Sequence, residues 1–245
     1  MDKLLVVQHT QSEYLGQIED HLEARRIGFQ YLRPFADPAW GMKTLAPSAG
    51  LMLLGGGNWG CASDPILPTL TAEVDLCRRY LSDGLPIVGF GLGADILALA
   101  AGGEAETAAF RFEVFTATRR IETALNGFMP PSFPMVQYGR DRVQLPPTAT
   151  ILADAPDRAA VFQIGENCFG FAGNPGVKSA IIEDLMMEAE MAALDSDLPP
   201  DSISEAAAIA GLEKVRDVQG EMAELLDPIL VGLIQHTGWM SEIAG

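Results

Sequence analysis

The sequence predicts an α/β fold with a mostly parallel central sheet covered by helices on both faces. Two features carry that expectation. Through the first hundred residues, short apolar runs that read as buried strands alternate with longer segments of helical periodicity. The chain also has 245 residues, 48% of them hydrophobic, enough for the large core of one α/β domain.

Residues 4–8 read as the first strand, and 14–26 as a helix with Leu15, Ile18, Leu22 and Ala24 on its apolar face. A second short strand is expected at 29–32. Residues 50–54 run into Gly55-Gly56-Gly57, a third strand entering a tight loop. A helix over 70–81 offers Val74, Leu76, Cys77 and Leu81 for packing; 86–90 is a buried strand and 94–101 another helix.

The second half differs in character. Residues 111–116, 135–138, 150–153, 159–164 and 168–172 are short strand candidates, separated by turn residues such as Asn126-Gly127 and Gly165-Glu166-Asn167. Residues 179–193 predict a helix packed through Ile181, Ile182, Leu185, Met186 and Ala189. The DSDLPP stretch makes 195–201 a polar surface loop within a single domain spanning 1–245. Two helices are expected beyond it, at 202–212 and 221–236. The apolar face of the second, through Leu225, Leu226, Ile229, Leu230 and Leu233, either docks on the main domain or forms a subunit interface.

Sixteen basic against 33 acidic residues give a formal charge of −17. Such a surface repels phosphate backbones and anionic lipid, so no direct nucleic-acid or membrane contact is expected. No apolar stretch reaches the ~20 residues of a membrane span. The opening MDKLLVVQHT reads as a strand rather than a signal peptide. Cys61, Cys77 and Cys168 form no CxxC pair, and with the scattered His9, His21 and His236 they make no metal-ligand spacing. A reducing cytoplasm fits, and neither metal nor cofactor is implied.

The most informative segment is Pro86-Ile87-Val88-Gly89-Phe90-Gly91-Leu92-Gly93-Ala94-Asp95. A strand, then G-x-x-x-G, then a helix is the layout of a nucleophile elbow, which holds its middle residue at the tip of a sharp turn. A glycine-rich strand-to-helix turn, phosphate-binding or not, is the other reading. The segment resembles P-I/V-x-G-I/V-C-x-G-x-Q of the class I glutamine amidotransferases, among them the glutaminase domain of GMP synthase. The resemblance puts the family cysteine on Gly91 and the family glutamine on Asp95.

Further segments agree in order. Leu54-Gly55-Gly56-Gly57 resembles the family's G-G-P oxyanion loop, which places the N–H groups of Gly56 and Leu92 at the oxyanion positions, with Gly57 at the proline. Phe169-Gly170-Phe171-Ala172-Gly173-Asn174-Pro175-Gly176 resembles Y-G-V-Q-F-H-P-E, with Asn174 at the family histidine and Gly176 at the family glutamate. Gln137-Tyr138-Gly139-Arg140-Asp141 resembles the H-W-H-G-D segment that lines the family's cleft. There Gln137 and Gly139 replace histidines, and Arg140 either meets an acidic ligand or pairs with carboxylates.

The resemblance implies the family's three-layer, flavodoxin-like sandwich. It also implies that cysteine-based glutaminase activity is absent. Gly91 has no thiol, Asn174 cannot take up a proton as histidine does, and Gly176 cannot orient a base. Cys61, just past the glycine loop, is the candidate substitute nucleophile if its thiolate is accessible and stabilised. The expectation is a catalytically degenerate amidotransferase-like protein that binds, regulates or scaffolds. A small amide or carboxylate ligand would sit among Gly56, Gly57, Leu92, Asp95, Tyr138 and Arg140, and a protein partner or a second copy would use the cleft or the last helix. The alternative is a non-canonical hydrolase or transferase acting on an amide or γ-glutamyl compound.

Overall fold

Strand β1 (Leu4–Val7) is buried along its whole length, and its residues divide by parity. Leu4 and Val6 enter one core, while Leu5 and Val7 enter another on the opposite face. Strand β3 (Gly50–Leu53) divides the same way, with Met52 on the first side and Leu51 and Leu53 on the second. Strand β4 (Ile87–Phe90) sends Val88 and Phe90 to the first core and Ile87 to the second. Both faces of these strands are dry, which is why the sequence runs there are apolar without alternation.

The computed structural model describes residues 3–36, 48–195 and 204–239. The predicted polar loop at 195–201 lies almost wholly outside the described residues. Helix α1 (Gln17–Ala24) and strand β2 (Phe29–Leu32) follow β1, helix α2 (Leu70–Ser82) precedes β4, and helix α3 (Leu92–Ala100) follows it. Strands β5 (Glu104–Glu106), β6 (Arg111–Arg119), β7 (Ser132–Gly139), β8 (Arg142–Gln144), β9 (Thr150–Ala155), β10 (Arg158–Ile164) and β11 (Cys168–Phe171) come next, then helices α4 (Ser179–Asp195) and α5 (Glu205–Thr237).

The main sheet has the order β2-β1-β3-β4-β11-β10-β9-β6-β7. Its first five strands pair in parallel, in the flavodoxin-like order with β11 as fifth strand. The remaining pairings are antiparallel. Helices α2 and α3 cover one face; α1 and α5 cover the other, with α4 packed on α5. The predicted α/β class and mostly parallel core are therefore present. The β5–β8 pair, a separate two-stranded sheet, was not expected; each strand is only three residues long.

Two helix expectations need correction. Helix α1 begins at Gln17 rather than residue 14, because Gly16 sits at φ 64° immediately before it. The two C-terminal helices are one 33-residue helix. The intervening Glu213-Lys214-Val215-Arg216 stretch consists largely of good helix formers, and Val215 is fully buried, so packing carries the helix through. Ser204 caps α5 by accepting the Ala207 N–H, and Gly238 in left-handed conformation ends it. Pro228 lacks a backbone donor, yet the buried Leu226, Ile229 and Leu230 around it hold the helix to the core. The apolar face expected to dock or to form a subunit interface is thus spent within the chain: Leu226, Leu230 and Leu233 are at most 1% exposed. Among the described residues, no helix is long and apolar enough to cross a membrane.

Truncating Leu233 to alanine should cost about 2–5 kcal/mol of unfolding free energy, because it removes fully buried methyl groups. Met191→Ala, on the exposed side of α4, should change stability by no more than about 0.5 kcal/mol. Urea titrations of both variants check the pair; equal effects would mean that α5 is not anchored to the core in solution.

Candidate functional site

Strand β4 delivers the chain to Gly91, whose backbone stands at φ 52° and ψ −121°. Few side-chain-bearing residues accept such a state, and glycine does so without a Cβ penalty. The turn is pinned from three sides. Gly91 N–H donates to the Phe171 carbonyl (2.9 Å), Gly93 N–H to the Leu54 carbonyl (3.1 Å), and Ala94 N–H back to the Gly91 carbonyl (2.9 Å). The helix start lies so close to β3 that a Cβ on Gly93 would fall 2.3 Å from the Leu53 carbonyl oxygen. A Cβ on Gly91 would meet only the Gly55 Cα, at 3.6 Å.

The loop after β3 abuts this turn, with the Leu92 side chain packed directly over Gly56. Its other side is clamped by buried ionisable groups. Gly55 N–H donates to Glu13 Oε1 (3.0 Å), and the Gly55 carbonyl accepts from His9 Nδ1 (2.8 Å). His9 Nε2 meets Glu73 Oε2 (2.7 Å), and Thr69 donates to the other Glu73 oxygen (2.6 Å). The clamp joins the ends of β1 and β3, the pair that flanks the switch point where sheets of this order gather ligands.

Burial by itself would lower the His9 pKa, but the Glu73 charge and hydrogen bond, helped by Gly55, outweigh it and carry His9 to about 9. Glu13 is pushed up to about 7 by burial, against the pull of His9 and the loop amides. Its Oε2 is buried without a hydrogen-bond partner among the described residues.

Asn174 lies beyond β11, whose register sets Phe171 beside Phe90 and so brings the following loop alongside Gly91. Its backbone exchanges two hydrogen bonds with Val136, and its Oδ1 accepts from Gly176 N–H (2.8 Å). The amide Nδ2 is buried without an acceptor among the described residues. A Cβ on Gly176 would lie 2.9 Å from Leu226 Cδ2 and 3.0 Å from Ile18 Cγ1, so α5 and α1 fill the space a larger residue would need.

Solved structures share this fold. A glutamine amidotransferase from Thermotoga maritima is similar with a TM-score of 0.75 and 20% sequence identity, covering 96% of this chain and 98% of that one. A glutamine amidotransferase from Methylobacillus flagellatus is similar with a TM-score of 0.75 and 17% identity, covering 96% and 95%. The chain has the glutamine amidotransferase fold. No protein-family model matches the sequence, and no curated protein matches it.

On this amidotransferase fold, Gly91, Asn174 and Gly176 stand at the ends of the adjacent strands β4 and β11, next to the Gly55–Gly57 loop. Asp95 projects from the first turn of α3 into a separate cavity of about 370 Å³, bounded also by Gln137, Asp141, Arg111 and Arg158. Desolvation and the nearby Asp141 charge raise the Asp95 carboxyl to about 8, despite the attraction of Arg158. Tyr138 is half-buried and packs edge-on against Phe110 and Phe112.

Arg140 is buried and donates to the Asp64 carbonyl, so its guanidinium supports the 60–65 loop. Asp141 accepts from the N–H groups of Cys61, Ala62, Ser63 and Ala108 and from the Ser63 hydroxyl. Cys61 is thereby held inside: burial, with the charges of Asp95 and Asp141, pushes its thiol far above the usual range. Among the described residues, no cluster of His, Cys, Asp or Glu is placed to hold a metal ion.

Sequence reasoning missed Glu13, the His9–Glu73 pair and the unpartnered acceptor on Gln137. His9 ends the first strand, where parallel sheets place their ligands, and the sequence reads it as a structural histidine; Glu13 carries no comparable signal.

Two outcomes follow from these environments. Iodoacetamide at about pH 8 should leave Cys61 unmodified in the folded protein and alkylate it in urea, because the thiol is both buried and protonated; rapid native labelling, read by peptide mass spectrometry, would contradict this. Asp95, Glu13 and His9 all bind their proton more tightly folded than unfolded. Each contributes stability in full below its unfolded pKa of 3.8, 4.5 or 6.5, and that contribution is lost by the time the pH passes about 8, 7 or 9. Unfolding free energy should therefore fall from about pH 5 to about pH 9, and Asp95→Asn with Glu13→Gln should flatten the lower part of that fall. A flat or rising profile in urea titrations would refute the assignment.

Proposed function

We propose that this chain works by binding rather than by hydrolysis: a catalytically degenerate amidotransferase-like protein that holds a small ligand beside the elbow and serves as a regulatory or structural subunit. The observation that carries the reading is Gly91. The residue at the tip of the turn retains the strained backbone of a nucleophile and has no side chain to attack with. Two further features support it. Asn174 offers an amide where a base would have to accept a proton, and Leu226 and Ile18 occupy the space beside Gly176.

A second reading draws on Glu13. A desolvated carboxyl near pKa 7 against the Gly55 amide is in the range of a general acid or base. It favours hydrolysis of an amide by water, without a covalent intermediate. Glu13→Gln would abolish such turnover and leaves the binding reading untouched.

The expected result is no ammonia release from L-glutamine above the uncatalysed rate. Gly91→Cys should remain inactive although there is open space for a Cβ on this strained backbone, because nothing at 174 can take the thiol proton. Wild-type turnover at about 1 s⁻¹ or faster would overturn the proposal. Affinity purification from its own cells should return a stoichiometric protein partner; a chain that elutes alone counts against the subunit role.

A further inference from the structure

We propose that the cavity beside Asp95 is a binding site for a small protonated amine. The inference rests on the binding reading above and names the chemistry of its ligand. The cavity, of about 370 Å³, is large enough for a molecule of several heavy atoms. Its walls come from the first turn of α3, the β7–β8 connection, β10 and the start of β6.

The charges around it are almost all answered within the protein. Arg111 donates to Asp157 (2.6 Å) and Arg142 to Glu106 (2.9 Å). Arg158 donates to Glu113 (2.8 Å) and lies over the Phe115 ring. Asp141 takes four backbone N–H groups and a hydroxyl. Asp95 is the exception, because no hydrogen bond or ion pair to its carboxyl is present among the described residues. Gln137, on another wall, keeps a buried Oε1 with no donor among the described residues.

Gln137 Oε1 is an acceptor and Asp95 becomes one when it gives up its proton, so the counterpart that suits both is a donor, and at the ionised Asp95 a cationic one. A carboxylate ligand would meet arginines already engaged and the ionised Asp141, with Asp95 adding its own repulsion once it loses its proton near pH 8. The carboxylate class expected from the sequence therefore fits this cavity poorly. Arg158 Nε is a buried donor without an acceptor among the described residues, so an amine that also carries a hydroxyl or carbonyl oxygen would satisfy more of the wall than a plain alkylamine.

Proton linkage gives the site a signature. Asp95 is faced by Asp141 from the β7–β8 connection, by Arg158 from β10 and by Cys61 from the loop after β3, and Glu106, Arg111, Arg142 and Asp157 line the same cavity. Desolvation and the Asp141 charge keep a proton on the Asp95 carboxyl up to about pH 8. Pairing with an ammonium group favours the carboxylate, so binding near neutral pH releases that proton to solvent. Affinity should rise as the pH approaches 8 and then level off.

The test is ligand-observed NMR with ethanolamine, n-butylamine, 1,4-diaminobutane, L-glutamine and glutarate, on wild type, Asp95→Asn and Gln137→Met. Amine probes should bind and glutarate should not. Asp95→Asn should weaken the amines by about tenfold or more, the loss of one charge-assisted contact. Gln137→Met, which keeps the volume and removes the acceptor, should weaken them less. Calorimetry in buffers of different ionisation enthalpy should report proton release with wild type and none with Asp95→Asn.

Stronger binding of glutarate than of amines, amine binding indifferent to Asp95→Asn, or no amine binding at all would overturn the proposal. Circular dichroism and urea midpoints of both variants separate lost contacts from lost folding. The two proposals fail separately: absent amine binding without glutamine turnover removes the ligand class alone, while glutamine turnover with amine binding intact removes the non-hydrolytic reading alone.

Discussion

The reversal of the chain at Gly91 is the constraint on which the rest of the site depends. A helix that starts directly at the end of a strand must pass close over the neighbouring strand, and here the approach leaves no room for a Cβ at Gly93 above Leu53. The amides freed by the turn are taken by carbonyls at the ends of β3 and β11, Leu54 and Phe171. Three strand ends are thereby locked to one four-residue segment. The Gly55–Gly57 loop has no freedom to drift, because Leu92 presses on Gly56 from one side while Glu13 and His9 hold Gly55 from the other. The backbone amides around the elbow consequently point in fixed directions whatever side chain stands at the tip. Such preorganisation needs only backbone geometry.

The electrostatics beneath the loop follow from burying charge in a protein that carries an excess of acid. His9 and Glu73 are both without exposed side-chain surface, and their close contact keeps the imidazole protonated well past neutrality. Glu13 stands near this pair with one oxygen on the Gly55 amide and the other unmet. Its desolvation outweighs the favourable pull of His9. On the far side of α3, Asp95 suffers the same desolvation with repulsion from Asp141 added. Two carboxyls with pKa values raised toward neutrality, Glu13 and Asp95, thus sit in the neighbourhood of the elbow.

What could be read from the sequence was what backbone geometry imposes on composition. Strands buried on both faces leave unbroken apolar runs, and a helix set tightly on a strand leaves small residues at Gly89, Gly91 and Gly93. Both marks are visible without a structure. Ordered motifs single out Gly91, Asn174 and Gly176, and the pairing of β4 with β11 sets these positions at neighbouring strand ends. The Glu13 clamp was not, because it depends on Gly55 and Glu73, 42 and 64 residues away from Glu13 and His9 respectively. Cys61 was misleading for a related reason: its place beside the glycine loop was legible, while its burial is set by Asp141, 80 residues further on. The unbroken helix α5 was hidden by a polar middle in which the fully buried Val215 is the main anchor.

The packing around Gly176 ties the site to the stability of the whole molecule. Leu226 belongs to the buried face that holds α5 to the core, and its side chain, with Ile18 of α1, reaches to within 3 Å of where a Cβ on Gly176 would stand. A carboxylate side chain there would have to displace Leu226, and loss of comparable buried leucine contacts costs about 2–5 kcal/mol. That is a large share of the roughly 5–15 kcal/mol by which a domain is stable. Under the proposed reading, a chain relieved of the need for an orienting acid at 176 can use the same volume to seat its C-terminal helix. Recovery of the catalytic groups would then require repacking of α1 and α5 as well as three substitutions. The absence of a nucleophile at Gly91 is in this view coupled to a core built around its consequences.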